Sequence, residues 1–494
     1  MKKLSLLLIL VLLISGCASS QTSYVHPEVP SVYYEIFVAS YYDSNGDGMG
    51  DLDGVREKLP YIQETLGISN VWFMPVMPSP SYHKYDVTDY KTIDPQYGDM
   101  ESMKNLLTAM ESRNMTLILD LVLNHTSIEH PWFTQAVAAK QTNTCDTNKY
   151  CDYYNFSDTW QTGYREYAPG IWYESVFSEH MPDLNLDSSE VRREISEIVA
   201  FWLDMGIKGF RLDATSHYYA DDVARNNEFL DWLNTEVKTH TKDAYIVAEA
   251  WIPNAIVTDM YASNIDSFFN FGLSQANGMI AKSVKKGDGQ SLAQFVAEYN
   301  QAIKANNENA LDAPFISNHD QGRSATYFND VDQQKMAASL YLMMPGNPFV
   351  YYGEEIGMKG SGVDENKRLP MVWSQKDATG QTKAPQNADY TVPFDSSVAD
   401  QEKDKASLLN HYAHAIKIRN KYPQLVTSSP TAVTSSATLY VMKHDDITVI
   451  HNLSQESQIL PGSYSVLDTI QGAAKASSDG LQIEGMSSII VRDK

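Results

Sequence analysis

Eight short apolar runs alternate with longer amphipathic stretches between about residues 32 and 415. The runs read "VYYEIFVAS", "ISNVWFMP", "MTLILDLVLNH", "KGFRLDA", "AYIVAEAW", "DSFFNFGL", "APFISNHD" and "NPFVYYGEE". Helix-type patterns such as "SEVRREISEIVAFWLDMG" lie between most of them. Buried strands that alternate with helices are typical of parallel β/α architecture, and eight repeats predict a closed (β/α)8 TIM barrel.

Two parts of the chain depart from this rhythm. About sixty residues rich in Asn, Thr, Tyr and Trp separate "LVLNH" from "VRREIS", which is too long for a structureless loop. We therefore predict an inserted subdomain over 126–180, after the third strand, between barrel segments 31–125 and 181–424. From 425 to 494 the pattern becomes all-β, which predicts a C-terminal antiparallel β-sandwich.

The N-terminus reads "MKKLSLLLILVLLISGC". Two lysines precede an apolar run too short for a confident membrane span, and the ending resembles a bacterial lipobox. We expect residues 1–16 to be a lipoprotein signal peptide, Cys17 to carry lipid, and 17–30 to be a linker. The alternatives are an ordinary signal peptide or a short anchor. The prediction places the protein outside the cytoplasm, on the cell surface or the periplasmic face of a bacterial membrane.

Net charge and cysteine content limit which molecules the protein can bind and in which compartment it resides. The net charge of −24 argues against nucleic acid, whose phosphates need a basic face. It is compatible with a neutral substrate, with bound divalent cations, or with solubility alone. Cys145 and Cys151 are predicted to form a small-loop disulfide in an oxidising compartment. A metal pair is the weaker alternative, because no further Cys besides Cys17 exists to complete a thiolate site.

Polar side chains close several of the predicted strands, where barrel enzymes place their functional groups. They are Asp120, Asn124 and His125; Arg211 and Asp213; Glu249; and His319 and Asp320. Any one of them alone is explained equally well by a structural salt bridge, but their convergence on one mouth indicates an active site. Several carboxylates without a metal-binding cluster indicate glycosyl transfer, in which one carboxylate is the nucleophile and another the acid/base.

These residues lie in segments that resemble the α-amylase family of glycoside hydrolases over roughly residues 32–425. The segments are "DLVLNH", "GFRLDATSH", "VAEAW", "FISNHD", "MPDLN", "SYHKYDVTDY" and "GNPFVYYGEEIGM". The resemblance implies that Asp213 is the nucleophile and Glu249 the general acid/base. It further implies that Asp320 stabilises the oxocarbenium-like transition state and that Arg211 orients Asp213.

The same resemblance implies substrate contacts. His125 and His319 would bind the sugar that is cleaved, and Tyr85 would stack beneath its ring. The alternative for Tyr85 is a core tyrosine. The substrate is expected to be an α-glucan such as starch, glycogen or maltooligosaccharides.

Details of these segments bear on which glycosidic bond is cleaved and at which place in the chain. "MPDLN" resembles bacterial amylases intermediate between oligo-1,6-glucosidases and neopullulanases, some of them lipid-anchored. Exo-acting relatives carry an Asp at the position of Tyr82, paired with the counterpart of Arg368. Its loss predicts an open non-reducing side, endo-acting hydrolysis of α-1,4 bonds, and an Arg368 without its expected partner. The alternatives are an oligo-1,6-glucosidase, neopullulanase or cyclomaltodextrinase-like enzyme, or a non-catalytic starch-binding lipoprotein.

The stretch 42–54, "YDSNGDGMGDLDG", raises a question of metal binding. It fits the first half of an EF-hand loop, but Gly54 stands where that loop requires a bidentate Glu. The family resemblance implies a Ca²⁺ site with side-chain ligands and one backbone carbonyl: Asp43, Asn45, Asp47, Asp51 and the carbonyl of Met49. The alternative is a solvated acidic turn.

A second Ca²⁺ between barrel and subdomain is also implied by the resemblance. Its ligands would be Asn124, Asp183 and the backbone carbonyl of His217. The protein is expected to be a monomer.

Overall fold

The computed structural model describes residues 31–220, 222–328, 330–391, 394 and 396–494. Residues 1–30, with the predicted signal peptide, Cys17 and linker, lie outside the described residues. Eight parallel strands form the central sheet: β1 Tyr33–Ile36, β2 Asn70–Phe73, β3 Thr116–Leu121, β4 Gly209–Leu212, β5 Tyr245–Ala248, β6 Ser267–Phe269, β7 Leu311–Ala313 and β8 Phe349–Tyr351.

The strands run in the order β7-β6-β5-β4-β3-β2-β1-β8. Two backbone bonds join the outer strands: Asn347 N–H donates to the Asp312 carbonyl (2.8 Å), and Phe349 N–H to the Pro314 carbonyl (3.0 Å). The predicted TIM barrel is thereby confirmed, and each of the eight runs contains part of a strand. The seventh predicted run begins at Ala313, but the strand itself spans Leu311–Ala313. It ends there because Pro314 follows directly and has no N–H for a strand ladder.

The helices include those that link the strands on the outside of the barrel, one in the insertion after β3 and three after β8. They are α1 Leu52–Pro60, α2 Met100–Glu111, α3 Pro131–Thr142, α4 Ser189–Met205, α5 Val223–His240, α6 Asn254–Met260, α7 Met279–Lys286, α8 Gly289–Asn306, α9 Ser324–Tyr327, α10 Val331–Leu342, α11 Val398–Gln401, α12 Leu408–Arg419 and α13 Gln424–Thr427. Short 3-10 turns span Val38–Ser40, Cys145–Thr147, Lys149–Asp152, Thr215–His217, Tyr261–Ser263 and Asp364–Arg368, and a π turn spans Tyr61–Thr65.

The barrel interior has an apolar floor and a charged layer above it. The floor is a buried cluster of Tyr33, Trp72, Ile118, Val247, Phe269, Ala313, Phe315 and Phe349. Since side chains alternate along a strand, the residue two positions further on points into the same interior. Two positions after Tyr33, Ile118 and Val247 the chain carries Glu35, Asp120 and Glu249. The strands therefore deliver carboxylates to the C-terminal mouth of the barrel.

The insertion after β3 is a small α+β subdomain. Helix α3 packs beside a three-stranded antiparallel sheet in which Ile171–Glu174 lies between Phe156–Ser157 and Tyr164–Ala168. The disulfide between Cys145 and Cys151 is present, with Cα atoms 5.6 Å apart. This confirms the predicted pairing.

Two antiparallel sheets follow the barrel and confirm the predicted C-terminal β domain. Their strands are β9 Thr431–Ala432, β10 Leu439–His444, β11 Ile447–Asn452, β12 Gln458–Leu460, β13 Tyr464–Gln471, β14 Ala474–Ser477, β15 Gly480–Ile483 and β16 Ser488–Asp493. One sheet has the order β9-β10-β11-β16-β13 and the other β12-β15-β14. The two sheets share a buried apolar core, which includes Val441, Ile450, Leu460, Leu481 and Ile489.

Arg419 stabilises the end of the barrel at which the strands begin. Its guanidinium is 1% exposed and donates to the carbonyls of Leu342 (2.6 Å), Met344 (2.8 Å) and Gly346, and to the Ser31 hydroxyl (2.8 Å). Burial lowers the pKa of Arg419 to about 9. The side chain thus satisfies backbone carbonyls at the last residue of α10 and directly after it.

Replacing Arg419 with Met is expected to destabilise the fold by about 2–4 kcal/mol, because buried carbonyls lose a charged donor. The measurement is the unfolding midpoint in guanidinium chloride. The matched control is Arg492→Met, which removes an exposed ion pair with Asp446 and should cost less than about 1 kcal/mol. Equal effects of the two substitutions would contradict this role for Arg419.

Candidate active site

One buried guanidinium holds three carboxylates at the C-terminal mouth of the barrel. Arg211 Nη1 lies 2.9 Å from Asp120 Oδ1 and 2.7 Å from Asp213 Oδ1, and its Nη2 lies 2.6 Å from Glu249 Oε2. These residues come from β3, β4 and β5 or the positions directly after them. The structure thereby brings together the predicted Arg211, Asp213 and Glu249.

The members of this cluster differ in access to solvent. The side chains of Asp120 and Arg211 are 0% and 1% exposed, whereas those of Asp213 and Glu249 are each 11% exposed. Asp213, Glu249 and Asp320 line a cavity of about 380 Å³. Asp120 and Arg211 therefore form the buried support, and three carboxylates present oxygens to a ligand.

Glu249 has the environment of an acid rather than of a permanent anion. Burial raises the pKa of Glu249 to about 7; Arg211 opposes the rise, and the charges of Asp213 and Asp320 add to it. The Ala214 N–H also donates to Glu249 Oε2 at 3.1 Å. Near neutral pH this carboxyl can therefore donate a proton.

Asp320 is held as an anion. Although burial opposes it, His319 and Arg368 keep the pKa of Asp320 well below its usual value. His319 Nε2 lies 2.9 Å from Asp320 Oδ2, and Arg368 Nη2 lies 3.0 Å from Asp320 Oδ1. Glu249 and Asp320 thus have pKa values pushed in opposite directions, as is common where two carboxyls have different tasks.

Tyr85 and His319 form a stack under the cavity. Their ring centroids are 5.5 Å apart with an interplanar angle of 12°, and Tyr85 lines the cavity. The Tyr85 hydroxyl donates to Asp120 Oδ2 at 3.0 Å and lies 2.7 Å from His319 Nε2. His319 is fully buried, so the structure shows it supporting Tyr85 and Asp320. Direct sugar binding by His319 stays a prediction.

His125 lines the same cavity. The ring is buried, and its Nε2 makes no hydrogen bond of normal geometry within the described part of the chain. A buried, unpaired ring nitrogen is costly unless a ligand or water completes it. This observation favours the predicted role of His125 in substrate binding.

Arg368 lacks the expected Asp at position 82, as the sequence indicated, but other groups bind it. Its Nη2 contacts Asp320, and its Nη1 contacts the Tyr82 hydroxyl (2.8 Å) and the Asp364 carboxylate. The Tyr82 hydroxyl also donates to Asp364. The carboxylate missing at position 82 is therefore supplied by Asp364, from the 3-10 turn that contains Arg368. Asp364 and Arg368 both line the cavity.

Several residues of the site were not identified from the sequence. Glu35 contacts His319, Asp364 contacts Arg368, and Phe177 and Trp251 present 44% and 47% exposed rings at the cavity. A carboxylate inside the apolar run "YYEIF" was the available signal for Glu35. The contact of Asp364 depends on a loop conformation that local sequence patterns do not specify.

The acidic loop 43–54 is held by its own backbone. The Asp43 carboxylate accepts N–H bonds from Asn45, Gly46 and Gly48, and Asp51 accepts from Ser44 and from Gly54 at the start of α1. Gly54 is required sterically, since a Cβ there would lie 2.1 Å from the Tyr42 carbonyl oxygen. The Glu expected at the twelfth EF-hand position therefore has no room.

The donors of this loop suit a hard cation. Asp43 and Asp51 are buried, yet the hydrogen bonds recorded to them come from backbone N–H groups and the Ser44 hydroxyl. Carboxylate, amide and carbonyl oxygens are the ligand types that Ca²⁺ prefers, and Ca²⁺ binding by this loop stays a prediction. Within the described residues, no group of three or more His, Cys, Asp or Glu side chains is arranged to hold a metal ion.

The structure joins two of the three residues predicted for the second ion. Asn124 Nδ2 lies 3.2 Å from Asp183 Oδ1, while the His217 carbonyl accepts the Ala220 N–H. Burial raises the pKa of Asp183 to about 7. The second Ca²⁺ stays a prediction.

Known proteins resemble this chain over most of its length. A family model described as alpha amylase, catalytic domain, matches residues 35–428. Alpha-amylase 3 of Dictyoglomus thermophilum is 37% identical over 439 residues, covering 86% of this chain and 85% of that protein. An oligo-1,6-glucosidase of Parageobacillus thermoglucosidasius is 32% identical over 402 residues, covering 70% and 67%.

A solved structure gives the same picture. The structure of Eubacterium rectale Amy13B superposes with a TM-score of 0.90 at 39% identity, covering 94% of this chain and 95% of that chain. Fold, site and sequence similarity together define a glycoside hydrolase. The chain belongs to the alpha-amylase family.

Proposed function

We propose that this chain is an endo-acting hydrolase that cleaves α-1,4 bonds of starch, glycogen or maltooligosaccharides with retention of configuration. The observation that carries this proposal is the attachment of Asp213 and Glu249 to the two ends of the Arg211 guanidinium at the cavity. Two carboxyls flanking one reacting centre are what a double displacement requires. The similarity to Alpha-amylase 3 supports the choice of substrate.

The chemistry follows from the two environments. Asp213 attacks the anomeric carbon and forms a glycosyl ester, while Glu249 protonates the departing glycosidic oxygen. Glu249, now a carboxylate, takes a proton from water, which attacks the ester and restores both groups. Arg211 lies 2.7 Å from Asp213 and orients its carboxylate for this attack. Asp320 and the Tyr85 ring bind the sugar as positive charge develops on it.

Endo-cleavage is supported by the extent of the cleft. A second cavity of about 310 Å³ shares His83 and Met181 with the catalytic cavity and continues between Pro80 and His180. The two neighbouring cavities together offer space for sugars beside the reacting centre. The Asp364–Arg368 pair lines another wall of the catalytic cavity and limits where a bound glucan can lie there.

A timed analysis of products from amylose, pullulan and panose tests this proposal. Early release of mixed oligosaccharides from amylose is expected, with slow reaction on the two branched or mixed-linkage substrates. Glucose released alone from chain ends would contradict endo-action, and preferred cleavage of panose would favour the oligo-1,6-glucosidase alternative. Starch binding with hydrolysis no greater than that of Glu249→Gln would favour the non-catalytic alternative.

We propose that Asp43, Asn45, Asp47, Asp51 and the Met49 carbonyl hold a Ca²⁺ ion that stabilises the loop between β1 and α1. Free Ca²⁺ at one hundred times Kd should stabilise the fold by about 2.7 kcal/mol. Thermal unfolding with Ca²⁺ and with chelator measures this. Asp43→Asn should abolish the shift, whereas Asp53→Asn, in an exposed pair with Arg56, should retain it. A shift that survives Asp43→Asn would contradict this site.

We propose an extracytoplasmic location with lipid on Cys17. The disulfide between Cys145 and Cys151 supports an oxidising compartment. In the part of the chain that the structure covers, no helix combines the length and apolarity needed to cross a membrane. Membrane fractions should contain the native chain but lose it after Cys17→Ala. Retention of the variant in those fractions would contradict the anchor.

A further inference from the structure

Glu35 is a charged residue in the middle of the interior strand β1. Its side chain is 1% exposed, and its ion-pair partner is His319, with Glu35 Oε1 and His319 Nδ1 2.5 Å apart. A buried carboxylate destabilises the fold strongly unless a partner compensates its charge. The position of Glu35 in the charged layer above Tyr33 places this carboxylate beneath the reacting centre.

His319 faces acceptors on both sides of its ring. Nδ1 points at Glu35, while Nε2 lies 2.9 Å from Asp320 Oδ2 and 2.7 Å from the Tyr85 hydroxyl. A neutral imidazole has one N–H and one lone pair. Because carboxylate oxygens stand at both nitrogens, the arrangement requires protons on both.

The other charged groups of this layer fix the direction of each bond. The Tyr85 hydroxyl donates to Asp120, so its oxygen accepts from His319. Arg211 is engaged by Asp120, Asp213 and Glu249 and Arg368 by Asp320 and Asp364. Tyr85 and Asp320 line the cavity, whereas Glu35, which also binds His319, does not.

The proton affinity of His319 agrees with this geometry. Burial alone would lower the pKa of His319, but Asp320 and Glu35 raise it to about 9. Without Glu35, only the charge of Asp320 would remain to oppose the lowering of the His319 pKa by burial.

We propose that Glu35 is a positioning residue that keeps His319 doubly protonated, so that His319 fixes the Asp320 carboxylate and the Tyr85 hydroxyl against the sugar. This inference rests on the proposed hydrolysis of α-glucans. Glu35 touches no substrate; it acts through the charge of His319 on two groups that line the cavity.

The test is Glu35→Gln, which keeps the shape of the side chain and removes its charge. Nitrogen-15 NMR of the full chain, with the His319 signal assigned by its absence from His319→Gln, reports the protonation of the ring directly. In the native protein His319 should remain an imidazolium at pH 8. In Glu35→Gln its pKa should fall by about two units. A neutral His319 in the native protein at pH 8, or an unchanged pKa in the variant, overturns the proposal.

Kinetics give a second readout that a purely structural role would not move. The kcat/KM of Glu35→Gln on a maltooligosaccharide should fall about tenfold more at pH 8 than at pH 5.5, mainly through kcat. The matched control is Glu354→Gln, because Glu354 is also buried but accepts from Ser317, Tyr341 and Tyr412 hydroxyls instead. Equal, pH-independent losses in both variants overturn the proposal. Absence of hydrolysis by the native protein would refute the proposed function and leave the NMR result to decide about Glu35.

Discussion

The Asp213→Asn substitution is expected to lower kcat on amylose by about 10⁴- to 10⁶-fold, in the range found when an enzymatic nucleophile is removed. An amide cannot form the glycosyl ester, so the first displacement has no acceptor for the sugar. The fold should survive, because Arg211 keeps its contacts with Asp120 and Glu249. The KM should change far less than kcat. The measurement is kcat from the release of reducing ends.

Added azide distinguishes the nucleophile from the acid. With Asp213→Gly and an activated aryl α-maltooside, azide should attack the anomeric carbon directly and give the β-azide, with inverted configuration. Asp187→Asn is the control, because Asp187 is an exposed partner of Arg225 that does not line the cavity, and it should keep native activity. An α-azide from Asp213→Gly would show that another group forms the glycosyl ester.

The Glu249→Gln substitution is expected to lower kcat on amylose by about 10²- to 10⁴-fold, the usual contribution of a general acid. The loss should be much smaller on an aryl glycoside whose leaving group departs without protonation. Removing Asp213 should stop hydrolysis of both substrates, whereas removing Glu249 should mainly stop hydrolysis of amylose, in which the leaving group is a sugar.

The pH profile of the native protein follows from the same residue. Because the pKa of Glu249 is raised to about 7, the acid form predominates below that pH and is lost above it. The kcat/KM on amylose should therefore decline as pH rises through about 7. Glu249→Gln should lack this limb. A native profile that stays flat from about pH 6 to about pH 9 would contradict the assignment of Glu249 as the acid.

The barrel and its carboxylates could be predicted because both depend on strand periodicity. Arg211 and Asp213 share a face by alternation alone, and Glu249 follows β5 at the same level. Parallel strands then carry these groups to one mouth without further information. The family resemblance added roles to the residues, and the structure shows Asp213, Glu249 and Asp320 lining one cavity.

Contacts between distant loops were not predictable in this way. Tyr82 and Asp364 are 282 positions apart and meet only because loops after β2 and β8 converge beside Arg368. The sequence showed that Arg368 lacks an Asp at position 82 but could not name the partners that replace it, Asp364 and the Tyr82 hydroxyl. Glu35 and His319, 284 positions apart, meet across the closed barrel, and strand periodicity places each of them without stating the pair.

The position of Ser31 has a consequence for access to polymers. Arg419 binds Ser31 at the end of the barrel where β1 begins, whereas the cavity opens where the strands finish. Any segment preceding residue 31 joins the molecule at the pole opposite the cavity. The anchor proposed at Cys17 would therefore join the folded chain on the side away from the cavity, which leaves the mouth of the barrel free for a long glucan.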